Sequence, residues 1–141
     1  ENILRLYLSH TKHINNWDLV DSSAYQIIGE YVRENRKSAL LKKLAKSKNL
    51  WERRIAIVAT FSYIKNGIDT PTQEISTMLL SDTEDLIHKA VGWMLREAGK
   101  RVSEKQLCEF LDLYNHRMPR TMLRYAIERL PERKRLYYMN K

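Results

Sequence analysis

Apolar residues recur along this chain at helical spacing, and caps and breakers divide them into separate helices. The pattern predicts a first helix over 3–12 and a second over 17–34, with Asn15-Asn16 as its N-cap. A third spans 36–46, with Leu40, Leu41 and Leu44 on its apolar side. Ser47-Lys48-Asn49 reads as a loop and cap before a helix over 50–66, which Gly67 closes. Thr70-Pro71 starts the next, which ends near Ser81-Asp82. Asp82 or Thr83 caps a helix over 84–98, and Gly99 stops it. Ser103-Glu104-Lys105-Gln106 is a capping box that opens a helix to about Asn115. Met118-Pro119 opens the last long helix, which ends before Pro131 and leaves a short basic tail over 132–141.

Within this pattern a polar pair recurs near the start of four apolar helices. Asp21-Ser22, Arg53-Arg54, His88-Lys89 and Arg120-Thr121 are spaced by 32, 35 and 32 residues. A period of this length signals stacked helix pairs, whose inner helices line one face. The fold expected is all-α, a HEAT-like helical-repeat solenoid. Tetratricopeptide repeats have a similar length but need a Trp-Leu-Gly-Tyr pattern that is absent here. The inner helices keep a polar stripe beside the apolar one. Trp17, Asp21, Ala24 and Ile28 align at helical spacing, as do Leu50, Arg54, Val58 and Phe61, and Lys89, Trp93, Arg96 and Lys100.

Charge adds a partner to this picture. The 141 residues hold 25 Lys+Arg against 17 Asp+Glu, a net charge of +8, which suits a polyanion such as DNA. The other reading is a generally basic protein surface. The single cysteine, Cys108, excludes an internal disulfide and points to a reducing, cytoplasmic compartment. No segment has the apolar length of a membrane span, and no signal peptide is visible. His10, His13, His88 and His116 lack companions at ligand spacing, so no metal and no cofactor is expected. The chain opens at Glu1 inside an apolar helical pattern and therefore reads as a fragment. The stripe Ile3, Leu4, Tyr7 and Leu8 is then a candidate surface for self-association.

Four segments carry a resemblance: Asn16-Trp17-Asp18-Leu19-Val20-Asp21, Leu50 to Val58, Lys89 to Glu97, and Met118 to Ala126. Together they resemble the AlkD-type family of DNA alkylation-repair glycosylases. The resemblance implies a HEAT-like solenoid that removes positively charged N3- and N7-alkylpurines from duplex DNA. It carries the family's functional residues onto Trp17, Asp21, Arg54 and Trp93, with Asp21 as the catalytic carboxylate. It implies one HEAT-like domain over 1–141 that lacks the N-terminal repeats of family members.

The chemistry agrees with a single carboxylate. Cleaving a glycosidic bond builds oxocarbenium-like charge on the sugar, and ordinary glycosidases add a second carboxyl group to protonate the leaving group. A base that already carries positive charge departs without that acid. Asp21 would stabilise the sugar cation and orient a water, and Arg54 would hold Asp21 or a phosphate beside the lesion. Asp21 also reads as a helix-terminal charge or a repeat-to-repeat salt bridge. Trp17 and Trp93 read either as walls for the lesion nucleotide or as core residues. Arg53, Lys89, Arg96, Arg120, Thr121 and Arg124 are candidates for phosphate contacts, or for plain solvated surface. Lys89 could alternatively attack the sugar as a Schiff-base nucleophile, which a charged leaving group makes unnecessary. Trp51 is assigned to packing between repeats. The rival reading is a non-catalytic HEAT-repeat module that binds DNA or an acidic protein.

Overall fold

The computed structural model describes Asp21 and residues 23–140. The helix expected over 3–12, its apolar stripe, the Asn15-Asn16 cap, Trp17 and Ser22 lie outside the described residues. Among the described residues every regular element is helical. A π-helical segment, Ala24–Gly29, follows Asp21 and runs into α1 (Glu30–Glu34). Then come α2 (Ala39–Ala45), α3 (Leu50–Val58), α4 (Phe61–Lys65), α5 (Thr70–Met78), α6 (Asp85–Arg101) and α7 (Glu104–Tyr114). A 3₁₀ turn, Asn115–Arg117, leads to α8 (Arg120–Ile127) and α9 (Glu132–Met139).

The elements stack side by side. The π-helical segment packs on α3, α3 on α6, and α6 on α8, which is the most extensive contact of all. α2 packs behind α3, while α5 and α7 pack behind α6. This is the layering of a helical-repeat solenoid. One continuous core runs through it, from Ile28 through Ile55, Ile87 and Met94 to Leu111 and Met122. Burying a side chain of this size stabilises the fold by about 1.5–3 kcal/mol each. Trp51 and Cys108 lie partly buried against that core.

Several boundaries differ from the sequence expectation, each for a local reason. The helix expected from residue 36 starts instead at Ala39. Arg36 has a φ of 54° and ends the preceding helix: its N–H donates to Arg33 O and the Lys37 N–H to Val32 O, at 3.4 and 2.9 Å. That is the bonding of a Schellman motif, with arginine where glycine is usual. The helix expected over 50–66 is two. At the break the Thr60 hydroxyl donates to Ile57 O at 2.6 Å, and the next backbone bonds close i→i−3 turns. Gly29 packs there so closely that a β-carbon would strike the Ala59 carbonyl oxygen. Gly99 does not stop α6, which continues to Arg101. Its bare Cα instead lets Leu107 of α7 approach. The expected tail after Pro131 is helical as α9, and the Tyr138 hydroxyl pins it by donating to Asp112 Oδ1 at 3.0 Å.

Two expected caps form at Asn49 and Ser103, whereas the helix expected to be capped by Asp82 or Thr83 starts at Asp85 with Glu84 at its N-cap and no side-chain cap bond. Asn49 Oδ1 accepts from Trp51 N at 2.8 Å, and Ser103 Oγ from Gln106 N at 3.1 Å. The capping box is only half formed, because the Gln106 amide turns its nitrogen to Asp69. Among the described residues no helix is long and apolar enough to cross a membrane.

Candidate functional site

Asp21, Arg54 and Lys89 each belong to one of the polar pairs that recur along the helices, and the structure brings all three to one cavity. It measures about 480 Å³ and is lined by Asp21, Arg54, Leu86, Lys89, Trp93, Arg96 and Tyr125. Its walls therefore come from Asp21 and from α3, α6 and α8.

At its base lies a forked ion pair. Arg54 Nε donates to Asp21 Oδ1 at 3.1 Å and Arg54 Nη2 to Asp21 Oδ2 at 3.0 Å. The third arm of the fork, Nη1, donates to the Leu86 carbonyl oxygen. Arg54 is 4% exposed, and the Asp21 side chain keeps 16% of its surface open. Such two-point pairing fixes the carboxylate in plane and position. Arg54 is thereby committed to Asp21 and to α6, so the expected alternative in which it holds a phosphate does not fit its burial.

The rest of the rim is cationic and aromatic. Lys89 Nζ lies 3.1 Å from Asp85 Oδ2, one helical turn back. That hydrogen bond, with a lesser contribution from the Tyr125 phenol, holds the lysine ammonium above its usual range. Arg96 Nη1 pairs with Glu128, the residue that follows α8, at 2.8 Å and its Nε with Glu97 at 3.3 Å. Arg101 Nε bonds the other Glu97 oxygen at 3.0 Å. Burial pushes the Glu97 carboxyl up, but the hydrogen bonds from Arg101 and Arg96 outweigh it and hold the group below the usual range. Trp93 packs partly buried against the core and also lines the cavity.

Other expected site residues lie elsewhere. Arg53 Nε pairs with Asp82 Oδ2 at 2.7 Å, and its Nη1 donates to Ser47 O at 3.1 Å. One residue along the helix from Arg54, it ties α3 to the turn before α6. Arg120 Nη1 donates to Met139 O at 3.0 Å, so it anchors α9. Thr121 and the exposed Arg124 belong to α8 but do not line the cavity. Tyr125, which does, was not singled out by the sequence reading. Its signal was the repeat itself, since Tyr125 follows Trp93 by 32 residues. Gly92 sets its place, because a β-carbon there would strike Tyr125 Cβ and lie 2.6 Å from Met122 O. Among the described residues no cluster of His, Cys, Asp and Glu could hold a metal ion.

Comparison with known proteins places this cavity in a family. No curated protein matches the chain. The family model described as DNA alkylation repair enzyme matches residues 1–130, a span that takes in every residue lining the cavity. The chain belongs to the DNA alkylation repair enzyme family, and its role lies in the repair of alkylated DNA.

Proposed function

We propose that the protein is a monofunctional DNA glycosylase that hydrolyses the N-glycosidic bond of cationic N3- and N7-alkylpurines in duplex DNA. The observation that carries this reading is the Asp21 carboxylate, clamped at two points by buried Arg54 on the wall of an open, cationic cavity. The C1′–N bond breaks and its electron pair neutralises the departing purine. Positive charge develops on the sugar, and the fixed carboxylate stabilises it. Water then adds to C1′ and gives up a proton, leaving an abasic site and free base. No general acid is needed, because the leaving base is already charged.

Trp93 offers an aromatic face to the sugar or the cationic base. Trp17 takes the same role by family resemblance. Arg54 acts as a positioning residue. Lys89 is held protonated by Asp85, which suits a phosphate contact and not a Schiff-base nucleophile. Lys89 and the exposed Arg124 supply positive charge for the DNA backbone, whereas Arg96 is taken up by Glu97 and Glu128.

The test is base release from duplexes that carry 7-methylguanine, 3-methyladenine or uracil. Both alkylpurines should be released and uracil, a neutral leaving base, should not. Efficient release of uracil would overturn the mechanism. Salt-sensitive binding of alkylated duplex without any release would favour a non-catalytic binding module.

A further inference from the structure

With the lesion sugar resting against Asp21, a phosphodiester joined to that sugar lies within reach of the neighbouring cavity wall. This placement rests on the reading that Asp21 attends the sugar. Four wall groups are poor seats for an anion. Arg54 is buried and spends its fork on Asp21 and Leu86. Arg96 is held between Glu97 and Glu128. Leu86 and Trp93 offer an apolar side chain and a ring face.

Lys89 and Tyr125 remain. The Lys89–Asp85 pair has side chains 44% and 62% exposed, and a pair this open contributes little and exchanges readily for another anion. Tyr125 comes from the adjacent helix, and Gly92 lets α8 approach α6 closely enough to set it on the same wall. Both side chains line the same cavity. An ammonium and a hydroxyl on one wall, fed by two packed helices, form a hydrogen-bonding seat for one phosphate.

We propose that Lys89 and the Tyr125 hydroxyl hold the backbone phosphate adjoining the lesion sugar, with the phosphate displacing Asp85 from Lys89. Tyr125 is then a substrate-binding residue. The phosphate, anchored from α6 and α8, sets the sugar's position over the Asp21–Arg54 pair.

The experiment measures affinity of the full-length chain for a duplex whose 7-methylguanine nucleotide carries a 2′-fluorine and so resists cleavage. A neutral methylphosphonate is placed in turn at the phosphate on either side of the lesion. Lys89→Gln and Tyr125→Phe should each weaken binding to the all-phosphate duplex about tenfold, the scale of one charge-assisted hydrogen bond. With the methylphosphonate at the seated position, wild type should fall by a similar factor and neither variant should fall further. Tyr125→Phe removes one oxygen and keeps the ring, so an unchanged melting midpoint checks its fold. Lys89→Gln should also lower the salt dependence of binding by about one counterion, and Tyr125→Phe should leave it unchanged. The proposal is overturned if Tyr125→Phe binds like wild type, or if both variants lose as much on the phosphonate duplexes as on the natural one. A wild-type chain that bound in the expected way but released no base from a cleavable duplex would overturn the glycosylase reading and leave the phosphate seat standing.

Discussion

Replace Gly92 by alanine and two effects oppose each other. In a helix interior, alanine is favoured over glycine by about 0.8–1 kcal/mol. Against that, the new β-carbon would overlap Tyr125 Cβ and lie 2.6 Å from the carbonyl oxygen of Met122. Neither neighbour is the far end of a flexible side chain. To restore ordinary contact with Met122, α8 must shift by about 0.8 Å from α6, across the most extensive helix contact in the molecule. Overpacking costs about 1–3 kcal/mol, and a clash with a Cβ and a backbone oxygen belongs in the upper part of that range, about 2–3 kcal/mol, so it outweighs the propensity gain and the variant should be less stable by about 1–2 kcal/mol. For a chain of this length the melting midpoint should fall by about 5 °C. Gly99→Ala serves as the comparison, because its nearest contact is Leu107 Cδ2, the movable end of a side chain. That variant should melt within about 2 °C of wild type. Paired thermal melts followed by circular dichroism make the measurement. A Gly92→Ala protein as stable as wild type, or more stable, would refute the packing argument.

Other substitutions test the charged groups. Arg54→Lys keeps the charge but loses the fork, so the carboxylate is held at one point at most. Urea denaturation should show a loss of about 2–4 kcal/mol, and single-turnover excision should fall with it. Wild-type behaviour in both would show that two-point clamping is irrelevant. Glu97 has its folded-state pKa lowered, so its stabilisation is present above the unfolded value, about 4.3, and is lost as pH falls through the folded value. Glu97→Gln should therefore be destabilised most near pH 7, with the gap from wild type closing as pH falls below about 4. A gap that stays constant between pH 7 and pH 3 would contradict the assignment. Asn49→Ala removes the acceptor for Trp51 N and should cost about 1 kcal/mol in the same denaturation assay. No measurable loss would mean that this cap contributes nothing to the start of α3.

The sequence made the helical repeat legible because apolar spacing, caps and one repeated polar pair all told the same story. Helical spacing put Arg54 on one polar stripe and Lys89, Trp93 and Arg96 on another, the resemblance joined Asp21, Arg54 and Trp93, and all five share a cavity. What it left hidden depended on contacts between helices. Gly99 has the residue type of a helix stop, and only the approach of Leu107 shows why it sits inside α6. Arg36 takes a backbone conformation that residue type would assign to glycine. Arg53 and Arg54 are indistinguishable by type, yet one helical step sends the first to Asp82 and the second to Asp21. Tyr125 is neither charged nor a tryptophan, and only its 32-residue offset from Trp93 marks its position. The π-helical segment after Asp21, where the Glu30 N–H donates to Tyr25 O, carries no local sequence signal.

The central claim is that one clamped carboxylate supplies the catalytic charge, and Asp21→Asn tests it most directly. The change is close to isosteric and keeps one acceptor for Arg54. It should lower stability by about 1–3 kcal/mol, because a buried guanidinium loses part of its compensation. The measurement is single-turnover release of 7-methylguanine from duplex DNA by the full-length protein, at a temperature where both proteins are folded and with duplex affinity recorded alongside. Affinity should be nearly unchanged and the rate lower by about two to three orders of magnitude, the scale of one preorganised electrostatic group. Excision by Asp21→Asn at the wild-type rate would contradict that claim.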